Sequence, residues 1–450
     1  ERLFDRLWVV VPERAHMALA VPVERAELQV GDIPVFTTQP DSLQLVSGTG
    51  ETIDGILTET GMGIARRRIQ QLSDEDMRRQ IWFIRSSLAT LAPLGTDIDM
   101  PPPSAYQLMP AVESVDGERL LVAARQIAER LAATALPGAD DVTWLGLESI
   151  LDESWDLAPL GMDLYGGISG IGLLHAYAGK RLHEKRYTTL SRRVHVGLSA
   201  YIEAIVEVAR ETAEAVPPEI GGYEGWGGLL YTLTHLGTLW DDPAILAQAD
   251  DVVDLISRVV AEDQAFGVVR GSAGAIISLL AYHQVSASES ALETAVTCGD
   301  HLLASALATE QGIGWVIPRF GSRPLSGLGH GAAGIAWALL ELATASGEER
   351  FRSAALRALD YERSLFSPEA DNWLDLRGVD AVEEDGSSMA PRFATAWCHG
   401  AAGIGMARLR CLQHLDEPAL RAEINAALQT MLQHGFGQSH CLCHGDLGNL

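Results

Sequence analysis

The sequence predicts an all-α domain, built as an array of helical hairpins, that follows the end of a mixed α+β domain. Three observations carry this prediction. A Gly-x-x-Gly unit opening an apolar helix recurs six times, helical periodicity dominates beyond about residue 116, and three consecutive prolines separate that region from a start rich in short β-like runs.

The chain has 450 residues, 47% of them hydrophobic and 21% charged, which is the composition of a soluble globular protein with room for two domains. Residues 1–91 mix the β-like runs "LWVVVP", "AELQV" and "IPVF" with turn signals such as "VGDIP" and "TQPDS". A helical stretch, "ARRRIQQLSDEDMRRQIWFIRSSLATL", closes this part. Residues 92–115 contain Pro101, Pro102 and Pro103 and read as a linker, because proline blocks the continuation of both helix and sheet. From 116 to 450 the chain reads as helical, with Leu120, Leu121, Ala124, Ile127 and Leu131 on one apolar face and "LSRRVHVGLSAYIEAIVEVARE" forming another helix.

The repeats are Gly167/Gly170, Gly225/Gly228, Gly271/Gly274, Gly331/Gly334, Gly400/Gly403 and Gly445/Gly448. Their first glycines are 45 to 69 residues apart, enough for an opened helix, a return helix and loops. One such pair would be tight packing in a helical array. Six in register predict helices whose N-termini, with their free N–H groups, are aimed at a common mouth.

The formal charge of -27 argues against nucleic acid, which needs a clustered basic surface, and favours neutral or basic peptide partners. The most apolar run, "GIAWALLELATA", is short and broken by Glu341, so membrane insertion is not expected. The opening at Glu1 carries neither an initiating Met nor a secretory leader and reads as the interior of something longer. Five sparse cysteines fit a reducing cytoplasm.

The residues just before the first glycines are Gly166, Glu224, Arg270, His330, His399 and His444. Two units are near duplicates, Cys398-His399-Gly400 and Cys443-His444-Gly445. If the helices converge, these two Cys-His pairs offer thiolate and imidazole ligands of the kind tetrahedral Zn2+ takes. A lone pair of this type is more simply a small buried hydrophobe and a helix cap. The duplication in register favours metal. Cys298, Cys411 and Cys441 lack it and read as structural.

Four segments, "DLYGGISGIG" (163–172), "PLSGLGHGAAGIAWALL" (324–340), "AWCHGAAGIG" (396–405) and "CHGDLGN" (443–449), resemble the lanthipeptide cyclases, and more closely the cyclase part of the bifunctional class II lanthipeptide synthetases. The stretch "ELQVGDIPVFTTQPDS" is similar to the end of the dehydratase domain that precedes the cyclase in that family. The resemblance implies an α/α toroid of seven inner helices, of which six repeats are present. It implies a zinc site of Cys398, Cys443 and His444 with the fourth position left for a substrate thiol. The activity it implies is addition of peptide cysteine thiolates to dehydroalanine or dehydrobutyrine, closing lanthionine or methyllanthionine rings in a dehydrated precursor peptide. Dehydratase activity is not expected from residues 1–91.

By the same resemblance His330, in "SGLGHG", matches the histidine that protonates the enolate, and Asp163 matches an aspartate that orients it or holds its proton; helix capping is the plainer role for Asp163. His399 is a non-ligand near the metal by resemblance, although its spacing alone would allow ligation. No role is carried over to Arg392, which lies farther from Cys398 than the corresponding arginine does in standalone cyclases. Two other readings keep the metal and the toroid: a prenyltransferase-like thiol alkylator, and a non-catalytic peptide- or thiol-binding scaffold.

Overall fold

A computed structural model describes residues 4–8, 11, 14–91, 116–150, 154–212, 216–377, 392–437 and 439–450, so the expected linker at 92–115 lies outside the described residues. The chain divides into two compact units, Glu1–Leu94 with Ser149–Asp156, and Gly95–Glu148 with Leu157–Leu450.

In the first unit, helix α1 (Val21–Gln29) takes up most of the run "AELQV" that reads as β-like. Pro22 in its first turn presets the helical φ, and Val21, Val23 and Glu27 are buried. That tertiary burial decides between helix and strand for so short an alternating run. A three-stranded antiparallel sheet follows (Phe36–Thr37, Leu45–Ser47 and Thr52–Ile53), with Phe36 opposite Ser47 and Leu45 opposite Ile53. The single helical stretch expected next is two helices, α2 (Gly61–Gln71) and α3 (Asp74–Ala89). Ser73 separates them because its hydroxyl accepts from Asp76 N–H and three acidic residues fill the following turn, a complete helix start.

The second unit begins with α4 (Gly117–Ala133). Of the apolar face expected there, Leu120, Leu121 and Ile127 are exposed; the helix buries Ala128 instead, whose carbonyl bonds the His175 imidazole at 3.1 Å. Then come the hairpins α5/α6 (Ile168–Leu182, Lys185–Glu211), α7/α8 (Trp226–Trp240, Pro243–Val259), α9/α10 (Ser272–Ser286, Glu289–Ser305), α11/α12 (Ala332–Ser346, Glu349–Arg363) and α13/α14 (Ala401–Cys411, Pro418–His434), and the first turn of α15 (Asp446–Asn449). All six odd-numbered helices from α5 to α15 have the first glycine of a repeat as N-cap. Each packs beside the next, and each of the first five packs on its own return helix. The architecture is an α/α toroid with these helices inside.

The two kinds of helix have the compositions their places require. Inner helix α11 buries residues on almost every side, including Ala332, Ala333, Ile335, Ala336, Leu339 and Leu342. Outer helix α12 buries one stripe, Phe351, Ala354, Ala355, Ala358, Leu359 and Glu362, at helical spacing. Small residues let the inner helices approach closely. The glycine pairs have a more specific cause: at every repeat the second glycine lies under the carbonyl of the residue six positions before it, so a Cβ there would crowd Leu164, Gly222, Val268, Leu328, Trp397 or Leu442. The glycine pattern is therefore the trace of a loop folded back over its own helix start.

Candidate functional site

Those folded loops are joined to one another by a backbone ladder. Counting back from each first glycine, the residue at the second position donates its N–H to the carbonyl of the same position in the next loop. The rungs run from Tyr165 to Tyr223 (3.1 Å), Tyr223 to Val269 (3.2 Å), Val269 to Gly329 (3.0 Å), Gly329 to Cys398 (2.9 Å) and Cys398 to Cys443 (3.2 Å). The convergence expected from the repeat is thus a hydrogen-bonded chain, and it sets Cys398 and Cys443 on adjacent rungs. One position earlier in each loop, Leu164, Gly222, Val268, Leu328, Trp397 and Leu442 face a cavity of about 900 Å3 inside the ring, which Tyr231, Trp337 and Arg410 line from the helices.

The Cys443 thiol is held down to about 5, first by a hydrogen bond from Cys398, against burial, and then by His444 and Tyr165. Cys398 is pushed up by the same contact and by burial. The two thiols are therefore coupled and titrate as a pair. Burial raises the Tyr165 phenol, and the neighbouring Cys443 raises it further. Arg377 stands near both thiols and lowers Cys398. Asp375 grips its guanidinium, with Nη2 2.6 Å from Oδ2 and Nε 3.0 Å from Oδ1.

His330 stacks on His399, with ring centroids 5.3 Å apart, and tilts against Phe320 at 5.0 Å. Burial, then Arg377 and Arg270, lowers His330 to about 4; burial, then Arg377 and His330, lowers His399 to about 3. Both imidazoles are neutral at pH 7. His399 is 3% exposed and is a packing partner of His330. Asp163 caps its own loop, accepting from Gly166 N–H at 2.7 Å, and lines a second pocket of about 390 Å3 with Glu219, Glu224 and Arg270. Among the described residues it makes no hydrogen bond or ion pair with His330.

Of the expected ligands, Cys398 and His444 each contact the Cys443 thiol. Among the described residues no three His, Cys, Asp or Glu side chains form a group that could hold a metal ion as they stand. The chemistry of this donor set nonetheless fits zinc, since two thiolates and one imidazole leave the fourth tetrahedral position open.

Two further residues at this site, Tyr165 and Arg377, lie outside the Cys-His units. Tyr165 carries a usable signal, because it occupies in the first loop the register that cysteine occupies in the fifth and sixth. Arg377 carries none: it follows the strand Asn372–Asp375, outside the repeat, whereas Arg392 is paired in register with Asp375 on the neighbouring strand.

A profile of the lanthionine synthetase C-like protein family matches residues 158–450. The chain belongs to this family. It is 23% identical over 445 residues to the lacticin 481/lactococcin biosynthesis protein LcnDR2 of Lactococcus lactis subsp. lactis, an alignment covering 95% of this chain and 43% of that protein. The chain thus spans less than half the length of that relative. Among solved structures, nisin cyclase aligns with a TM-score of 0.49 at 18% identity, covering 74% of this chain and 80% of that one. An unsaturated glucuronyl hydrolase specific for heparin aligns with a TM-score of 0.41 at 15% identity, covering 71% and 86%. The family match covers all six repeats, the ladder and both Cys-His units.

Proposed function

We propose that the protein closes lanthionine and methyllanthionine rings in a dehydrated precursor peptide, using a zinc centre of Cys398, Cys443 and His444. The observation that carries this reading is the pairing of Cys398 and Cys443 on adjacent rungs of the ladder, inside a domain of the lanthionine synthetase C-like family. Zinc bound there would draw the substrate thiol into its thiolate form at neutral pH, where a free thiol, with a pKa of about 8.5, is mostly protonated.

Ring closure forms one S–C bond at the β-carbon of the dehydroamino acid and moves the alkene electron pair toward the α-carbon and its carbonyl. The thiol proton must leave and a proton must reach the α-carbon. His330 is the residue assigned to deliver the proton to the α-carbon, since burial and the nearby arginines leave any imidazolium there ready to release its proton. Arg377, fixed by Asp375, offers positive charge beside the thiols where negative charge develops. The cavity behind the loops, with its aromatic wall, can accept apolar peptide side chains. All five cysteines are free, and no described helix is long and apolar enough to cross a membrane.

Incubation with a dehydrated precursor peptide tests the reading. Ring closure removes free thiol without changing the peptide mass. Alkylation by a prenyltransferase-like enzyme adds mass, and a binding scaffold changes neither; either result rejects the proposal.

A further inference from the structure

Behind the mouth lies a buried carboxylate that the chemistry above does not use. Glu362, on outer helix α12, is fully buried. One of its oxygens accepts from Gly327 N–H at 2.8 Å and Ala333 N–H at 3.2 Å, and so serves both the loop that carries His330 and the start of α11. The other lies 2.9 Å from Nη2 of Arg408, outside hydrogen-bond alignment. Arg408, also fully buried, belongs to α13, the inner helix opened by the Cys398 unit, and pairs in addition with Glu423.

Resting on the cyclase reading of the mouth, we propose that Glu362 is a positioning residue: its carboxylate and Arg408 together fix the loop bearing His330 against the loop bearing Cys398 and His399. The two loops meet where Glu362 holds them. Gly327, at φ +101°, packs so closely that an added Cβ would lie 3.0 Å from the Cys398 carbonyl oxygen and 3.4 Å from His399 Nδ1. Two residues on, Gly329 N–H bonds the Cys398 carbonyl.

A comparison within the same fold separates this role from capping alone. Asp263 caps inner helix α9, taking Ser272 N–H at 2.7 Å and Phe266 N–H at 3.2 Å. Among the described residues it has no ion pair to the next inner helix. Glu362 has one. Burying two charges is a costly way to satisfy two N–H groups, so what the pair adds is a fixed relation between two helices.

The test compares wild type, Glu362→Gln, Glu362→Asp and, as a matched lesion, Asp263→Asn, all at a temperature where each is folded by circular dichroism. Amide hydrogen exchange is read together with steady-state cyclisation of dehydrated peptide. In Glu362→Gln, exchange is expected to speed up in both 325–331 and 396–400, while Asp263→Asn affects 263–272 alone. The kcat of Glu362→Gln falls by about 10- to 100-fold with KM within about twofold and zinc content unchanged, and Glu362→Asp recovers part of the loss. Unaltered exchange in 396–400, or a wild-type kcat in folded Glu362→Gln, overturns the inference. If Glu362→Gln does not fold, Glu362→Asp is judged by the same two readouts. A wild-type protein that closes no ring refutes the proposed function instead, and the exchange pattern then decides this inference by itself.

Discussion

Replacing Gly403 with Ala probes the physical reason for the glycine repeat at the unit that carries Cys398. An added Cβ would overlap the Trp397 carbonyl oxygen while lying 2.9 Å from Leu328 Cβ and 3.0 Å from the Trp397 carbonyl carbon. The obstacle is backbone, so the Trp397 carbonyl must retreat by about 1 Å, and Cys398, the next residue, moves with it. Overpacking of this kind costs about 1–3 kcal/mol, against which alanine returns at most about 1 kcal/mol of helix propensity. Net destabilisation of about 1–2 kcal/mol is therefore expected. Loss of ring closure should be larger than that figure implies, because about 1 Å of misplacement can cost about 100-fold in rate. Gly197→Ala, inside α6 with no neighbouring atom closer than 3.8 Å, is the control and should stabilise by about 0.5–1 kcal/mol. Thermal unfolding and a thiol-consumption assay read both effects. A Gly403→Ala protein as stable and as active as wild type would show that the folded-back loop is not why glycine stands there.

Other outcomes follow from the same geometry. In metal-free protein Cys443 should alkylate with a rate midpoint near pH 5, while buried Cys298 and Cys411 stay inert. Because folding favours the Cys443 thiolate and the Cys398 thiol, the pair contributes most stability near the unfolded thiol pKa of about 8.5; the Cys443 part is lost as pH falls through about 5 and the Cys398 part opposes it above about 8.5, and an alkylation midpoint at the unfolded value would reject the coupling of the two thiols. His330→Asn should keep zinc and lose about 100- to 10,000-fold in cyclisation rate; unchanged turnover removes His330 from the chemistry. Arg408→Met strands the Glu362 carboxylate and should cost about 3–5 kcal/mol in denaturant unfolding at pH 7. The loss should shrink on acidification, since burial raises the Glu362 pKa and its carboxyl takes up a proton more readily in the folded state; a loss independent of pH would contradict the pairing.

How far the sequence revealed the fold depends on the range of each interaction. The six inner-helix starts were legible because a loop folded over a helix start demands glycine locally, at Gly403 as at Gly334, and repetition multiplies a weak signal. The Cys398 and Cys443 units were legible for the same reason. Tyr165 shares their register but differs in residue type, so only alignment by position exposes it. Glu362 and Arg377 left no trace, because the groups they act on, the His330 loop and Arg408 for one and the two thiols for the other, come from other helices or loops and their spacing follows no repeat. Nor could α1 be told from a strand, since the alternating run "AELQV" reads as β by itself and the burial of Val21, Val23 and Glu27 decides. For Asp163 the plainer of its two expected roles is the one visible locally, since its carboxylate accepts from Gly166 N–H three residues away.

The proposed zinc centre depends on two Cys-His-Gly loops brought to adjacent rungs. Metal analysis of the purified protein beside the Cys398→Ala/Cys443→Ala double variant is its sharpest test. Zinc is expected in the wild type, in proportion to chain, and none in the double variant. Zinc absent from the wild type, or retained when both thiols are gone, would contradict it.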